Sequence, residues 1–143
     1  MNRRYWIGPT LLVSMLLSGC GSKHISVPRL KTTPVKGTVL VDGQPALGLT
    51  VQCCPEPDSA AIKHPVLAIT DADGKFSLAM YEDGDGLPEG TYNLIFLWEF
   101  GMDQTDKLKG AYADPKKSQH VITVVDGGDN DLGIIELSSA GPG

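Results

Sequence analysis

The stretch that decides the fold class is TYNLIFLW, residues 91–98, the most apolar run after the first 20 residues. Side chains of an extended chain alternate between two faces. One face of this stretch carries Tyr92, Leu94, Phe96 and Trp98, and the other carries Ile95 and Leu97. Because both faces are apolar, we predict a strand at the centre of a sheet, or one covered on one side by a partner.

Similar short segments lie on both sides of it, separated by turn-forming Gly, Pro, Asn and Asp residues. The predicted strands are Val35–Val41, Leu49–Cys54, Val66–Thr70, Lys75–Met80, Thr91–Trp98, Gln119–Val125 and Leu132–Leu137. The last two are expected to pair as a closing hairpin. Seven short strands without a long helical period predict an all-β fold, a seven-stranded Greek-key sandwich.

Composition supports this class and excludes some partners. The 143 residues include 17 Gly and 10 Pro, which indicates many turns. Residues 20–143 carry 10 Lys and Arg against 17 Asp and Glu, a net charge of −7. Phosphate contacts need basic surfaces, so nucleic acid is not expected as a partner. Electrostatic adhesion to anionic lipid is not expected either.

The N-terminus has the pattern of an export signal. Basic Met1–Arg4 precedes the mostly apolar Tyr5–Leu17, which at 13 residues is too short to span a bilayer. The sequence Leu17-Ser18-Gly19-Cys20 then resembles the lipobox of bacterial lipoproteins. This resemblance implies cleavage before Cys20 and a covalent lipid on its thiol, which would attach the chain to a membrane. We expect no other cofactor.

These boundaries divide the chain into four parts. We predict a signal peptide at 1–19, a lipidated tether at 20–33, a β-sandwich domain at 34–138 and a flexible tail at 139–143. The residue after the lipobox cysteine is Gly21, whereas Asp at this position favours inner-membrane retention in some bacteria. The expected location is therefore the cell envelope, with the outer membrane favoured over the inner.

The turn motifs of the domain form a series. They are VKGTV at 35–39, DGQP at 42–45, TDADGKF at 70–76 and PEGTY at 88–92. Their order and spacing resemble the carboxypeptidase regulatory-like, transthyretin-like (prealbumin-like) domain over residues 34–137. The segment YADP at 112–115, with Ser118, resembles short bacterial lipoproteins of this type. The resemblance implies a seven-stranded sandwich with an accessory or adhesive role and without catalytic residues.

Catalytic signals are lacking in the sequence. Zinc requires three or four clustered ligands, but His24, His64 and His120 are scattered and none has Glu three residues later. The related transthyretin-like hydrolase of purine breakdown carries a C-terminal Tyr-Arg-Gly-Ser signature, whereas this chain ends in SAGPG at 139–143. We therefore predict no enzymatic activity, with a hydrolase as an alternative.

Calcium is the metal candidate. Asp71 and Asp73 begin a sequence like a calcium loop, and Glu82 stands at position 12. Position 5 is Lys75, however, and Gly74 falls at position 4 rather than 6. Turn formation explains the same residues without metal. We predict no metal site and keep calcium-dependent binding through the acidic loops as an alternative.

The remaining thiols, Cys53 and Cys54, are adjacent on a strand. Their side chains should point to opposite faces, so they are poorly placed to bond to each other. Cys53 is expected in the core and Cys54 on the more polar face. Cys54 is predicted to be a half-buried thiol, with pairing between molecules as the alternative.

The long segment Glu99–Ser118 is the predicted partner-binding region, together with the acidic loop Glu82–Glu89, which is expected to lie beside it. Long segments without regular structure are usually functional or disordered. The candidate contact residues are Phe100, Met102, Lys107 and Tyr112. In the alternative interpretation, Leu108 and Tyr112 fold back to cover the sandwich. The sequence thus predicts a membrane-anchored, non-enzymatic module for an unidentified protein or carbohydrate partner.

Overall fold

A computed structural model describes residues 28–102 and 104–143. The predicted signal peptide, the lipobox with Cys20 and most of the predicted tether therefore lie outside the described residues. Within the described part, no helix is long and apolar enough to cross a bilayer.

The described residues contain no α-helix, and the all-β prediction is confirmed. The strands are β1 Lys36–Val41, β2 Gln44–Pro45, β3 Thr50–Pro55, β4 Val66–Ile69, β5 Lys75–Ser77, β6 Gly90–Leu97, β7 Glu99–Phe100, β8 Thr105–Asp106, β9 Val121–Val124 and β10 Asp131–Leu137. One short 3₁₀ helix, Pro115–Lys117, is present. Each predicted segment contains a strand. The three additional strands, β2, β7 and β8, have two residues each, which is too short for an alternating pattern to be recognised.

Two four-stranded sheets contribute to one core. The first has the order β10-β1-β2, with β5 also paired to β1, and the second has the order β4-β3-β6-β9. The first is mixed, since β1 runs parallel to β10 and antiparallel to β2 and β5. This arrangement is compatible with a β-sandwich. The TYNLIFLW stretch forms most of β6, which lies between β3 and β9, so the prediction of a central strand is confirmed.

Alternation along the strands determines the core. The inward-facing residues of β3, Val51 and Cys53, are fully buried, whereas Thr50, Gln52 and Cys54 are only partly buried. The largest fully buried side chains are Tyr92, Phe96, Leu49, Leu78, Leu87, Leu94, Leu108, Val35, Val39, Val51 and Cys53. The core position predicted for Cys53 and the half-buried position predicted for Cys54 are thus confirmed.

The predicted closing hairpin is wrong. β9 pairs with β6 in the second sheet, and β10 pairs with β1 in the first. The turn between them, residues 125–130, therefore crosses from one sheet to the other. An alternating pattern identifies a strand and its buried face but contains no information about its partner.

The two predicted turns with Asp and Gly are present, and each has a local cause. Asp42 and Gly43 have φ of 51° and 78° and join β1 to β2, as the two-residue hairpin turn requires. Gly74, with φ of 73°, closes the turn between β4 and β5, two strands of different sheets. A Cβ at Gly74 would overlap the carbonyl oxygen of Val39. The turn that the sequence predicts at residues 71–74 is therefore present, with Gly74 at a positive φ.

The PEGTY motif also has a structural explanation. The hydroxyl of Tyr92 donates to the carbonyl oxygen of Pro88 at 2.8 Å. Burial raises the pKa of this hydroxyl to about 12. Gly90 lies so close to Ala60 that a Cβ would be 2.7 Å from the Ala60 Cα. The spacing of the motif thus fixes the loop to the beginning of β6.

Candidate functional site

The two ends of β6 define two ends of the domain. Eight residues, at about 3.3 Å each, separate them by roughly 26 Å. Before β6 begins, Leu87 exchanges two backbone hydrogen bonds with Thr33, at 2.8 and 3.0 Å. We call the end that contains residues 29–33 and 80–89 the proximal end. The segment 98–110, which follows the last residue of β6, belongs to the distal end.

The described N-terminal residues are bound to the proximal end. Arg29 pairs with Glu82 at 2.9 Å, and Lys31 pairs with Asp126 at 2.5 Å. Thr33, which the sequence placed at the end of the tether, is buried. The folded domain therefore includes at least Thr33, and the chain leaves it at the proximal end.

At the distal end, segment 98–110 forms a hairpin. Glu99 and Phe100 of β7 pair with Asp106 and Thr105 of β8. The expectation of a structureless segment is wrong here, because side-chain hydrogen bonds organise the turns. Strands of two residues are too short to show an alternating apolar pattern, so the sequence does not predict this hairpin.

Asp106 is the centre of this hairpin. Its carboxylate accepts backbone N–H groups of Trp98, Leu108 and Gly110 at 2.9, 2.9 and 2.8 Å. Burial alone would raise the pKa of Asp106, but these three donors outweigh it and lower the pKa below its usual value. Sequence reasoning missed this residue. Its only signal is the preference of Asp for turns in which its carboxylate accepts nearby backbone N–H groups.

Beside the hairpin, an aromatic side chain lies next to exposed aliphatic groups. The indole N–H of Trp98 donates to the carbonyl oxygen of Leu47 at 3.0 Å. The ammonium of Lys107 lies 4.2 Å from the centroid of the Trp98 ring, within cation–π range. Leu47 is 62% exposed and Met102 is fully exposed. We call these four residues at the distal end the distal surface; they offer apolar area and one cation.

The structure separates the four predicted contact residues. Met102 and Lys107 lie on the distal surface, and the backbone of Phe100 belongs to the same hairpin. Tyr112 instead packs edge-on against Phe96, with ring centroids 6.3 Å apart. Its hydroxyl accepts the backbone N–H of Ser138 at 3.0 Å. Leu108 is buried in the core. Both residues thus occupy the covering positions of the alternative interpretation.

The acidic loop 82–89 is not a neighbour of this surface, contrary to the prediction. It precedes β6, whereas the hairpin follows it, so the two segments lie at opposite ends of the domain. The carboxylate of Asp85 accepts backbone N–H groups of Met80, Tyr81 and Glu82 at 2.7, 3.0 and 3.2 Å. This loop is therefore a closed structural unit. Proximity in sequence to a central strand does not imply proximity in space when the strand spans the domain.

The calcium candidates are not assembled. The Oδ1 atom of Asp71 accepts the backbone N–H groups of Asp73 and Lys75, both at 2.9 Å, within its own turn. Glu82 pairs with Arg29 beyond the other end of β5. Among residues 28–102 and 104–143, no three His, Cys, Asp or Glu side chains are grouped to hold a metal ion.

Cys53 is buried, and Cys54 and His120 are partly buried. Burial raises the pKa of both Cys53 and Cys54. His120 lies edge-on to Phe96, with ring centroids 5.4 Å apart, and burial lowers its pKa. These environments favour the neutral forms of the three groups, so neither thiol is activated as a thiolate nucleophile.

Two larger surface depressions lie elsewhere. An apolar groove of about 600 Å³ runs past Ile62, Pro65, Leu67 and Met80. A second, of about 580 Å³, lies on the outer side of the first sheet and contains the Lys36–Asp131 ion pair at 3.4 Å. Neither depression includes a residue of the distal surface.

Comparison with known proteins places few limits on the function. No protein-family model and no curated protein matches the chain. Among solved structures, the chain is similar to a 9R-lipoxygenase from Cyanothece PCC8801, with 14% identity and a TM-score of 0.40. The match covers 81% of this chain and 18% of the lipoxygenase chain.

Proposed function

We propose that this chain is a membrane-anchored, non-enzymatic lipoprotein of the bacterial cell envelope, whose β-sandwich is a binding or structural accessory module. The export signal and the lipobox ending at Cys20 support the anchor. The sheet orders β5-β1-β10 and β4-β3-β6-β9, with β1 parallel to β10, support a Greek-key, transthyretin-like topology.

One observation carries the proposal: the N-terminal residues and the distal surface are at opposite ends of β6. Residues 29–33 leave the domain beside Leu87, and the hairpin lies roughly 26 Å further along the strand direction. Eight residues separate Cys20 from Arg29 and reach at most about 28 Å when extended. A lipid on Cys20 would thus hold the proximal end near the membrane and direct the distal surface away from it.

The chemistry of the distal surface suits a protein partner or a carbohydrate. Exposed Leu47 and Met102 offer apolar area, and exposed Lys107 offers a cation that lies over the half-buried ring of Trp98. Aromatic residues and Met are enriched in interfaces, and Met adapts to irregular surfaces. A rigid sheet that presents such a loop is a common arrangement for binding.

The anchor is tested by mass spectrometry of the membrane-extracted protein. We expect the mature chain to begin at Cys20 with added acyl mass, and Cys20→Ser to remain uncleaved. A Cys20→Ser protein that is still cleaved at this bond and acylated would contradict the anchor.

The binding role is tested with a triple variant, Phe100→Ser, Met102→Ser and Lys107→Ser, in native membranes. We expect unchanged thermal unfolding and loss of any partner recovered by crosslinking and pull-down. Val125→Ser is the control, because Val125 is 53% exposed and follows β9 at the proximal end. Retention of every partner by the folded triple variant would exclude the hairpin residues Phe100, Met102 and Lys107 as the binding site.

A further inference from the structure

The apolar groove of about 600 Å³ lies at the proximal end, between the beginning of β4 and the chain that follows β5. Strand β3 ends at Pro55, which pairs with Tyr92 near the start of β6, and β4 is antiparallel to β3, so β4 begins at this end. We call this depression the β4 groove. Its apolar lining consists of Ile62, Pro65, Val66, Leu67, Ala79 and Met80.

The free edge of β4 borders the same groove. β4 is the outermost strand of the second sheet, and next to it the N–H of Thr70 donates to the carbonyl oxygen of Leu49 at 2.9 Å. Because hydrogen-bonding directions alternate along an antiparallel strand, the backbone groups of Leu67 and Ile69 point away from β3. In the described part of the chain, these groups have no backbone partner on that side. Sheet edges of this kind are usually covered or otherwise protected.

The N-terminal chain reaches the domain beside this groove. The N–H of Leu30 donates to the hydroxyl of Tyr81 at 3.1 Å, and the guanidinium of Arg29 lies 5.3 Å from the centroid of the Tyr81 ring. Tyr81 directly follows Met80, which lines the groove. The residues that precede Pro28 therefore enter the domain next to the β4 groove.

The sequence of that preceding segment alternates between apolar and polar residues. Residues 21–27, which lie outside the described residues, read GSKHISV. Ile25 and Val27 are two positions apart, so an extended chain would present both on one side and His24 with Ser26 on the other. Both apolar residues are β-branched, and Pro28 restricts Val27 to extended backbone angles. This is the pattern of an extended segment that is buried on one side.

We propose that residues 24–27 occupy the β4 groove, with the side chains of Ile25 and Val27 among its apolar residues and their backbone along the free edge of β4. The other two lining residues are Lys63 and His64. The ammonium of Lys63 already donates to the carbonyl oxygen of Pro57 at 2.7 Å. An aliphatic occupant without negative charge therefore suits the groove better than a lipid phosphate.

This inference goes beyond the proposed function and does not require a lipid on Cys20. Where that lipid is present, occupation of the groove changes the reach of the tether. Four residues separate Cys20 from Ile25, half of the eight that separate it from Arg29. The occupied groove would thus hold the proximal end closer to the membrane than a free tether would.

Met80 provides the test, and Met102 is the internal reference. The purified full chain in detergent is exposed to hydrogen peroxide, and the oxidation of each methionine is followed by mass spectrometry. We expect Ile25→Ser combined with Val27→Ser to accelerate oxidation of Met80 about fivefold or more, because susceptibility follows exposure and the groove is then open to solvent. Oxidation of Met102, which is fully exposed, should not change.

His24→Ala combined with Ser26→Ala is the matched control. It changes the same segment on the side that faces away from the groove, and we expect Met80 to be oxidised as in the unmodified chain. Equal oxidation rates of Met80 in the unmodified chain and in both double variants would overturn the inference.

Amide hydrogen exchange distinguishes an opened groove from a loosened domain. In Ile25→Ser with Val27→Ser, we expect the N–H of Leu67 to exchange about fivefold faster or more, with no change at Phe96 in the centre of the second sheet. Equal acceleration at Leu67 and Phe96 would indicate general unfolding and would contradict the inference.

Two further outcomes would assign the groove to another occupant. Protection of Met80 that appears only in phosphatidylethanolamine vesicles, and that both double variants retain, would assign it to lipid. Protection that increases with protein concentration would assign it to a second copy. Either result would overturn the inference. Acylation of Cys20, measured on the same samples, tests the proposed anchor separately, so the anchor can stand when the groove assignment fails.

Discussion

The proximal and distal ends of the domain each contain a loop that is closed by one aspartate, but the two loops differ in their contacts with the rest of the chain. At each end one aspartate, Asp85 or Asp106, accepts three backbone N–H groups and closes a loop. The proximal loop is also joined to distant chain, through the Thr33–Leu87 hydrogen bonds and buried Leu87. The distal hairpin has paired strands of only two residues and a fully exposed Met102.

This difference shows that the same local motif can serve the core or an exposed surface, depending on its long-range contacts. A carboxylate that accepts several backbone N–H groups stabilises a loop wherever it occurs. Long-range packing then decides whether the loop belongs to the core or stays available for contact. The proximal loop closes the sandwich and binds the N-terminal segment, whereas the distal hairpin joins the core only at its ends, through Trp98 and buried Leu108, and exposes Met102.

The largest predicted effect compares two glycines with positive φ, one at each end. Gly86 has φ of 84°, and a Cβ there would overlap the carbonyl group of Thr33; Gly110 has φ of 74° and open space around it. We expect Gly86→Ala to lower the free energy of unfolding by about 3 kcal/mol or more, from backbone strain plus the clash. Gly110→Ala should cost about 1 kcal/mol, from the backbone alone.

Denaturant unfolding of both variants measures this difference. Gly43→Ala is the control for the backbone term, because Gly43 also has a positive φ and no atom within 4 Å of the added Cβ. Equal losses for Gly86→Ala and Gly110→Ala would mean that the Thr33–Leu87 contact does not brace the proximal loop.

Much of the core follows from the sequence, because alternation encodes burial directly. In Val35–Val41 and Leu49–Cys54, the apolar residues at alternating positions are the ones that the structure buries. Pairing does not follow in the same way. β9 and β10 are adjacent in sequence but belong to different sheets, because six residues suffice to cross the sandwich. The local alternation of side chains does not determine which sheet a strand joins.

The site is less predictable than the core for a related reason. Met102 and Lys107 could be selected by residue type, but the separation of Tyr112 from them depends on its contact with Phe96 across the fold. The sequence pattern identifies Trp98 only as a strand residue. Its position beside Leu47 and Lys107 arises from contacts over a sequence distance of about 50 residues in one case and 9 in the other.

The second predicted effect concerns Asp106 and is local. The pKa of Asp106 is lower in the folded chain than its unfolded value of 3.8. The ionised carboxylate therefore stabilises the hairpin at pH values above 3.8, and this stabilisation is lost as the pH falls through the folded-state pKa. We expect Asp106→Ala to accelerate amide hydrogen exchange at Trp98, Leu108 and Gly110 about tenfold or more at neutral pH, because one hydrogen-bond acceptor serves all three.

Asp85→Ala provides the comparison at the proximal end. Because that loop is also bound through Leu87 and Thr33, we expect a smaller change in exchange at the three N–H groups that Asp85 accepts. A hairpin in Asp106→Ala that exchanges no faster than in the unmodified chain would show that the short strands alone maintain its shape.

The smallest predicted effect is the response to calcium, which tests whether any acidic loop has a role beyond structure. The carboxylates of Asp71 and Asp85 accept hydrogen bonds within their own loops, and Glu82 is paired with Arg29. A cation would have to displace these partners to gain ligands. We therefore expect millimolar calcium to shift the unfolding temperature by less than about 1 °C, whereas a specific site at a hundred times its Kd would add about 2.7 kcal/mol. Thermal unfolding with calcium, with magnesium and with chelator makes the measurement, and Asp73→Asn is the variant to compare. A rise of several degrees that is specific for calcium and disappears in Asp73→Asn would make the turn at residues 71–74 a binding site and would end the structural interpretation of the acidic loops.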